Sequence, residues 1–204
     1  MMPAIVSAET PAPDRVLVSQ AQDGEREALE ELAKKFRRPA YLLALQLTGR
    51  PEMAQDVAQD AMLRLFQHID RVDIERPVRP WLYQIVRNRV RDLRRRARLR
   101  RYESLEALRE AGRPETVETR PDPADDLARR ELQARVWSAL EELSVPHKEI
   151  LVLRDYQDLS YREISKVLDI PQGTVMSRLH AARRSMRKVL KAGDGMAEGM
   201  RQEE

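Results

Sequence analysis

The stretch from Tyr102 to Ala128 constrains the fold more than any other part of the sequence. It carries eight acids against three arginines, and Pro114, Pro121 and Pro123 interrupt any helix that would cross it. Just before it, nine of the fifteen residues from Arg87 to Arg101 are arginine, opposed by Asp92 alone. After it, Pro171 to Lys191 holds six lysines and arginines and no acid. A net charge of +3 over 204 residues conceals this arrangement. Two basic clusters held apart by an acidic, proline-bearing segment predict two small bodies, each with its own anion-binding surface. The expected organisation is a disordered, Pro- and Ala-rich start at 1–13 and a first domain at 14–100. A linker follows at 101–128, with a short helix around Ser104–Glu110, then a second domain at 129–191 and a frayed tail at 192–204.

Both bodies read as helical, so the expected fold class is all-α: two small helical domains joined by a flexible linker. From Asp14 to Leu47, Leu29, Leu32, Phe36 and Ala40 recur at three- and four-residue steps with charges between them. Gly49-Arg50-Pro51 breaks that pattern. Pro51 opens the next helix, to His68, because the first turn has no use for its missing N–H. The apolar stripe there is Met53, Val57, Ala61 and Leu65. Asp70 to Pro80, with Pro77 and Pro80, reads as a loop, and a helix from Trp81 to Arg98 buries Trp81, Leu82, Ile85, Val86 and Leu93. In the second body Leu132, Val136, Leu140 and Leu143 make one stripe with Trp137 beside it, and Pro146 starts a helix reaching Asp155.

The most informative stretch begins at Ser160. Ser160-Tyr161-Arg162-Glu163 is a capping box, in which serine and glutamate satisfy each other's orphan amides at a helix start. Ile164, Val167 and Leu168 form the inner face of that short helix. Asp169-Ile170 is a tight turn, and Pro171 opens a longer helix whose apolar stripe is Val175, Leu179, Ala182, Met186 and Val189. Its other face carries Ser177, His180, Arg183, Arg184, Arg187 and Lys188. A short capped helix, a tight turn and a basic second helix make a helix-turn-helix able to enter a major groove. The competing reading is an ordinary helical hairpin facing water. The complete lack of acid over Pro171–Lys191 weighs against it.

Composition excludes several functions. The chain has no cysteine, so it has no disulfide, thiolate zinc site or thiol nucleophile, and its three histidines, His68, His147 and His180, are scattered. No metal and no cofactor are expected. The longest apolar run, Tyr41 to Leu45, is far short of the roughly 20 residues that span a bilayer. The N-terminus lacks the basic start and apolar core of a secretory signal, so a cytoplasmic protein is expected. An enzyme acting on nucleic acid needs a carboxylate cluster or a nucleophile–base pair. The acids lie mainly in the linker and on helix exteriors, with no convergent set, and the chain is not expected to be an enzyme.

At this point the motifs carry a resemblance. Asp56-Val57-Ala58-Gln59-Asp60 followed by Leu63-Arg64-Leu65-Phe66, then Pro80-Trp81-Leu82-Tyr83 with Ile85, Asn88, Asp92 and Arg94-Arg95-Arg96, stand in order before the helix-turn-helix. There Asp158–Ile164 and Pro171–Leu179 complete the set. From about Gln20 to Leu190 the chain resembles bacterial RNA polymerase sigma factors of the extracytoplasmic-function (ECF, group 4, sigma-70 family) type.

The resemblance implies a region 2 domain at 14–100 that binds core polymerase and engages the −10 element as single strand. It also implies a region 4 domain at 129–191 that reads the −35 element as duplex. Asp56, Gln59, Asp60 and Leu63 share one helical face by spacing, and by resemblance that face docks on the largest polymerase subunits. The −10 contacts it implies are Asp70, Arg71, Arg87, Asn88, Arg91, Arg94 and Arg95. The −35 contacts are Gly173, Thr174, Met176, Ser177, Arg178, His180, Ala181, Arg183 and Arg184. Family members often place arginines at the positions of Met176 and Ala181, so fewer arginine–guanine contacts are expected here. His180 is as compatible with a bystander as with a base reader. Trp81 sits on the apolar stripe and is expected in the core, while Tyr83 is left open as a stacking platform. An anti-sigma factor is an expected partner. The alternative function is a helix-turn-helix regulator that binds duplex DNA without polymerase docking.

Overall fold

The structure, a computed structural model, describes residues 14–104 and 127–200, with side-chain surroundings for 14–99 and 132–192. The expected disordered start, the acidic linker from residue 105 to 126 with all but the first residue of the short helix expected at Ser104–Glu110, and residues 201–204 lie outside the described residues. Among the described residues the chain is helical throughout, with no strand. The first body consists of α1 (Asp14–Gln22), α2 (Arg26–Thr48), α3 (Pro51–Gln67), a single 3-10 turn (Ile69–Arg71) and α4 (Val78–Ser104). The second holds α5 (Leu127–Glu142), α6 (Val145–Leu151), a π-helical turn (Val152–Tyr156), α7 (Tyr161–Leu168) and α8 (Gln172–Met200).

In the first body the stripes close on one another. Leu32, Phe36 and Leu43 of α2, Val57, Ala61 and Leu65 of α3, and Leu82 and Val86 of α4 are fully or almost fully buried. Burying side chains of this size contributes about 1.5–3 kcal/mol for each of the larger ones. Leu17 and Val18 of α1 cap this core from one side. The Gln22 amide donates to the carbonyls of Ile69 and Val72 at 2.8 Å each, pinning the end of α1 to the loop before α4.

Four local features differ from the sequence reading, each for a visible reason. The helical pattern at 14–47 is two helices, because Gly24 takes φ +88° and no helix passes through that conformation. α4 begins at Val78, with Pro80 in its first turn, where a missing N–H breaks no hydrogen bond. Leu132 is 56% exposed rather than on the buried stripe of α5. α8 runs on to Met200, past the fraying expected at Ala192.

The helix-turn-helix forms as read. Ser160 Oγ accepts from the Glu163 amide, and Glu163 Oε2 accepts from the Ser160 amide at 2.8 Å. Such a cap contributes about 1 kcal/mol. Asp169 ends α7 at φ +54°, the Ile170 amide donates back to the Ser165 carbonyl, and Ser165 Oγ donates to the Ile170 carbonyl at 2.6 Å. Ile164, Val167, Val175, Leu179 and Ala182 seal the two helices together.

Candidate nucleic-acid interface

The buried stripe of α8 fixes which residues its other face presents. Gly173, Met176, Ser177, His180, Arg183 and Arg184 are exposed, while Thr174, Arg178 and Ala181 are half-buried at the margin. All nine residues expected at the −35 element therefore lie on or beside one surface. The α8 start is set by Pro171, whose carbonyl accepts from the Thr174 and Val175 amides at 2.9 and 3.1 Å. Arg183 is not a free cation: its guanidinium meets Asp155 Oδ1 at 2.6 Å, and that hydrogen bond, ahead of burial and charge effects, raises its already high basicity. Arg184, on the same exposed face, is the freer candidate for phosphate.

On α3, Asp56, Gln59 and Leu63 are exposed, Leu63 by 50%, with Val57, Ala61 and Leu65 buried behind them. Asp60 is half-buried because Arg89 of α4 approaches its Oδ2 to 2.6 Å. The face thus presents an acid, an amide and a half-open leucine, with its second acid tied to the neighbouring helix.

The residues expected at the −10 element are not all brought together. Asp70 and Arg71 in the 3-10 turn and Asn88, Arg91 and Arg95 on α4 are exposed. Arg87 and Arg94, seven residues apart, lie on a different face of α4. Arg94 is half-buried, its Nη2 donating to the Leu47 carbonyl that ends α2. Arg87, also expected at the −10 element, is 8% exposed, with Nε 3.0 Å from Glu149 Oε2 and Nη1 donating to the Val167 carbonyl at 3.2 Å. Trp81 packs partly buried against the core as expected. Tyr83, left open, is fully buried, and its hydroxyl donates to Gln157 Oε1.

Sequence reasoning missed the other side of this junction. Glu149, Gln46 and Lys148 are buried polar residues, and Gln157 Nε2 donates to Gln46 Oε1 at 2.7 Å. The available signal was a polar residue in register with a core stripe: Gln46 three residues after Leu43, and Arg87 four residues after Tyr83. Lys148 is held by Glu141. Burial pulls the lysine below its usual basicity, against the opposing hydrogen bond from Glu141. Burial pushes the Tyr83 hydroxyl up, with a smaller opposing pull from Arg79.

These two shifts act oppositely in alkali. A tyrosine raised above its unfolded value of about 10 contributes stability below that pH and loses it as pH climbs through the folded value. A lysine depressed below about 10.5 penalises the fold near neutrality, and the penalty fades as pH rises toward its unfolded value. Tyr83→Phe isolates the first effect. Its melting temperature is expected to decline less than that of the unmodified chain between about pH 9 and 11. Parallel declines would show that Tyr83 does not titrate the fold.

No helix among the described residues is long and apolar enough to cross a membrane, and no group of three or more His, Asp or Glu is placed to hold a metal. The family model described as Sigma-70 region 2 matches residues 32–100, and the one described as Sigma-70, region 4 matches residues 133–186. The ECF RNA polymerase sigma factor SigL of Mycobacterium tuberculosis is 35% identical over 174 residues, covering 85% of this chain and 94% of SigL. SigW of Bacillus subtilis is 29% identical over 177 residues, covering 85% and 95%. Among solved structures, CnrH in complex with the cytosolic domain of CnrY superposes with a TM-score of 0.66 at 26% identity, covering 88% of this chain and 97% of CnrH. The sigma factor RpoE of Bartonella quintana, bound to the anti-sigma factor NepR, shares the fold with a TM-score of 0.65 at 20% identity, covering 79% and 96%. Two helical bodies in this order, each matched by its own region model, place the chain in the sigma-70 family, as an ECF-type sigma factor that directs core RNA polymerase to promoters.

Proposed function

We propose that the two bodies divide the work of initiation between the residues described above. The α3 face of Asp56, Gln59 and Leu63, with Asp60 behind it, docks on a basic, partly apolar surface of the largest polymerase subunits. Acid and amide groups supply complementarity to a basic partner, and the half-exposed leucine supplies the apolar anchor that interface hot spots need. Asn88, Arg91 and Arg95 of α4, together with Asp70 and Arg71 of the 3-10 turn, engage the −10 element, where binding must return the few kcal/mol lost on unstacking a base. Arg87 and Arg94 add phosphate contacts on the adjacent face. On α8, Ser177 and Arg178 read base edges, His180 and Met176 border them, and Gly173, Thr174 and Arg184 hold phosphates.

The domain limits we assign are 14–100 and 129–191. The chain performs no chemistry of its own and acts in the cytoplasm beside the polymerase. The complexes formed by CnrH with CnrY and by RpoE with NepR suggest an anti-sigma partner for this chain as well. The single observation that carries the division of labour is the coexistence of an acid-free stretch, Pro171 to Lys191, on the reading helix with a separate acidic, leucine-bearing face on α3. Transcription in vitro with purified core enzyme on a library of randomised promoters tests it. Enriched sequences should fall into two blocks, and substitutions at Ser177 and Arg178 should change only the upstream one. A single enriched block, or none, contradicts the reading.

A further inference from the structure

We propose that Gln22 is a positioning residue for −10 recognition: its side-chain amide sets the direction in which Asp70 and Arg71 face the strand. This rests on the reading of those two residues as −10 contacts. The 3-10 turn that carries them, Ile69–Arg71, has only three residues, too few to hold its own shape. Ile69 and Val72 turn toward the core, Val72 to 6% exposure, while Asp70 and Arg71 between them stay exposed. The Gln22 amide meets the carbonyls of those two inward residues, Ile69 and Val72, at 2.8 Å each. Both partners can only accept, so the amide commits both of its hydrogens to the turn. Two carbonyls held by one planar group fix the rotation of the segment between them, and with it the directions of the two exposed side chains.

The brace has a firm base. α1 is seated by Leu17, Val18 and Ala21, all buried. It ends in a Schellman arrangement, with Gly24 at φ +88°, the Gly24 amide donating to the Ala21 carbonyl at 3.2 Å and the Glu25 amide to the Gln20 carbonyl at 2.9 Å. That closure fixes the last turn of α1 and Gln22 within it. Past Val72 the loop is organised by its own groups: Asp73 Oδ1 accepts from the Glu75 amide at 3.0 Å, and Asp73 Oδ2 meets Arg76 Nε at 2.8 Å. There it parts from α1 across an open groove whose apolar sides, Val16 and Ile74, are 40% and 39% exposed. Among the described residues no other α1 side chain is hydrogen-bonded to the loop. Without the amide, the turn keeps only its two apolar side chains and its chain ends as anchors. Every conformer that swings Asp70 and Arg71 aside then lowers the binding-competent fraction.

Open-complex formation by holoenzyme on promoters randomised in the −10 and −35 blocks tests this. Gln22→Met keeps the side chain's length and removes both donors, and Gln22→Asn keeps the amide but sets it one methylene short. Gln22 is exposed, so neither change opens the core. Each should lower discrimination in the −10 block by about tenfold, the order expected when two hydrogen bonds no longer hold the turn. Preference in the −35 block and affinity for core enzyme should stay as they are. Gln22→Lys, whose ammonium offers three donors, should recover most of the loss. Gln22→Met added to Asp70→Ala/Arg71→Ala should change nothing further, because the brace acts only through those two residues.

If Asp70→Ala/Arg71→Ala lowers −10 discrimination while Gln22→Met and Gln22→Asn leave it unchanged, the positioning role is overturned and the −10 reading of the turn stands. If Asp70→Ala/Arg71→Ala itself leaves discrimination unchanged, that reading fails and the positioning role falls with it. Equal losses in both blocks that follow a lowered melting temperature, with no recovery in Gln22→Lys, would reduce Gln22 to a contact that only stabilises the fold.

Discussion

The double substitution Asp56→Lys and Leu63→Ala is expected to reduce the affinity of the chain for core RNA polymerase by about 10²–10³-fold while leaving its thermal stability nearly unchanged. The stability half of the expectation follows from burial. Asp56 is exposed and Leu63 half-exposed, and the core behind them is filled by Val57, Ala61 and Leu65. Surface changes of this kind usually shift stability by less than about 0.5 kcal/mol. The affinity half follows from how interfaces concentrate energy: an anchor and a charge reversal at the centre of a patch each cost on the order of 2 kcal/mol. Asp60 is a poorer choice, because its replacement also releases Arg89 and mixes two effects. Titration of labelled chain with core enzyme measures the outcome. Binding within about threefold of the unmodified chain would move the docking surface away from α3.

The second large effect is electrostatic. Promoter affinity of the holoenzyme is expected to fall by about 10³–10⁵ between 50 and 200 mM salt if six to ten phosphates are contacted. The free chain should bind the same promoter poorly at any of these concentrations, since its two cationic surfaces lie on separate bodies and Arg87 is spent internally. Within that total, Arg184→Ala should weaken all sequences alike and lower the salt slope by about one unit. Arg178→Ala should alter sequence preference in the −35 block, by about 1–3 kcal/mol at one position, if it reads a base. Competition footprinting across a salt series separates the two. A free chain that protected both elements at physiological salt would contradict the account.

The particular residues show what was legible in the sequence. Apolar residues at steps of three and four gave α2, α3 and α8, because period alone decides which face is buried. The Ser160–Glu163 box and the turn at Asp169 were readable because caps and left-handed turns depend on local chemistry. The recognition face was legible for the same reason: once Val175, Leu179 and Ala182 are buried, Ser177, His180 and Arg184 must face out. The pairing of Arg87 was not legible, because Glu149 lies sixty-two positions away and a charge pattern along one helix says nothing about a partner that distant. Tyr83 was left open, and Gln46 and Gln157 were missed, for the same reason. Each is a polar or amphipathic residue on a stripe, and only the docking of the second body decides whether it meets water, a base or another side chain. Gly24 broke a pattern that periodicity alone carried through, since one glycine in a helical window is weak evidence until its φ is known.

The most direct test mixes the full chain with purified core polymerase, isolates the assembly by gel filtration and maps the start sites it produces on a promoter library. The account predicts a stable one-to-one assembly that initiates at defined positions downstream of two spaced sequence blocks. It also predicts that neither component alone does so, and that Asp56→Lys/Leu63→Ala elutes apart from the enzyme. Site-directed initiation that survives loss of the assembly, or an assembly that initiates no better than core enzyme alone, would contradict it.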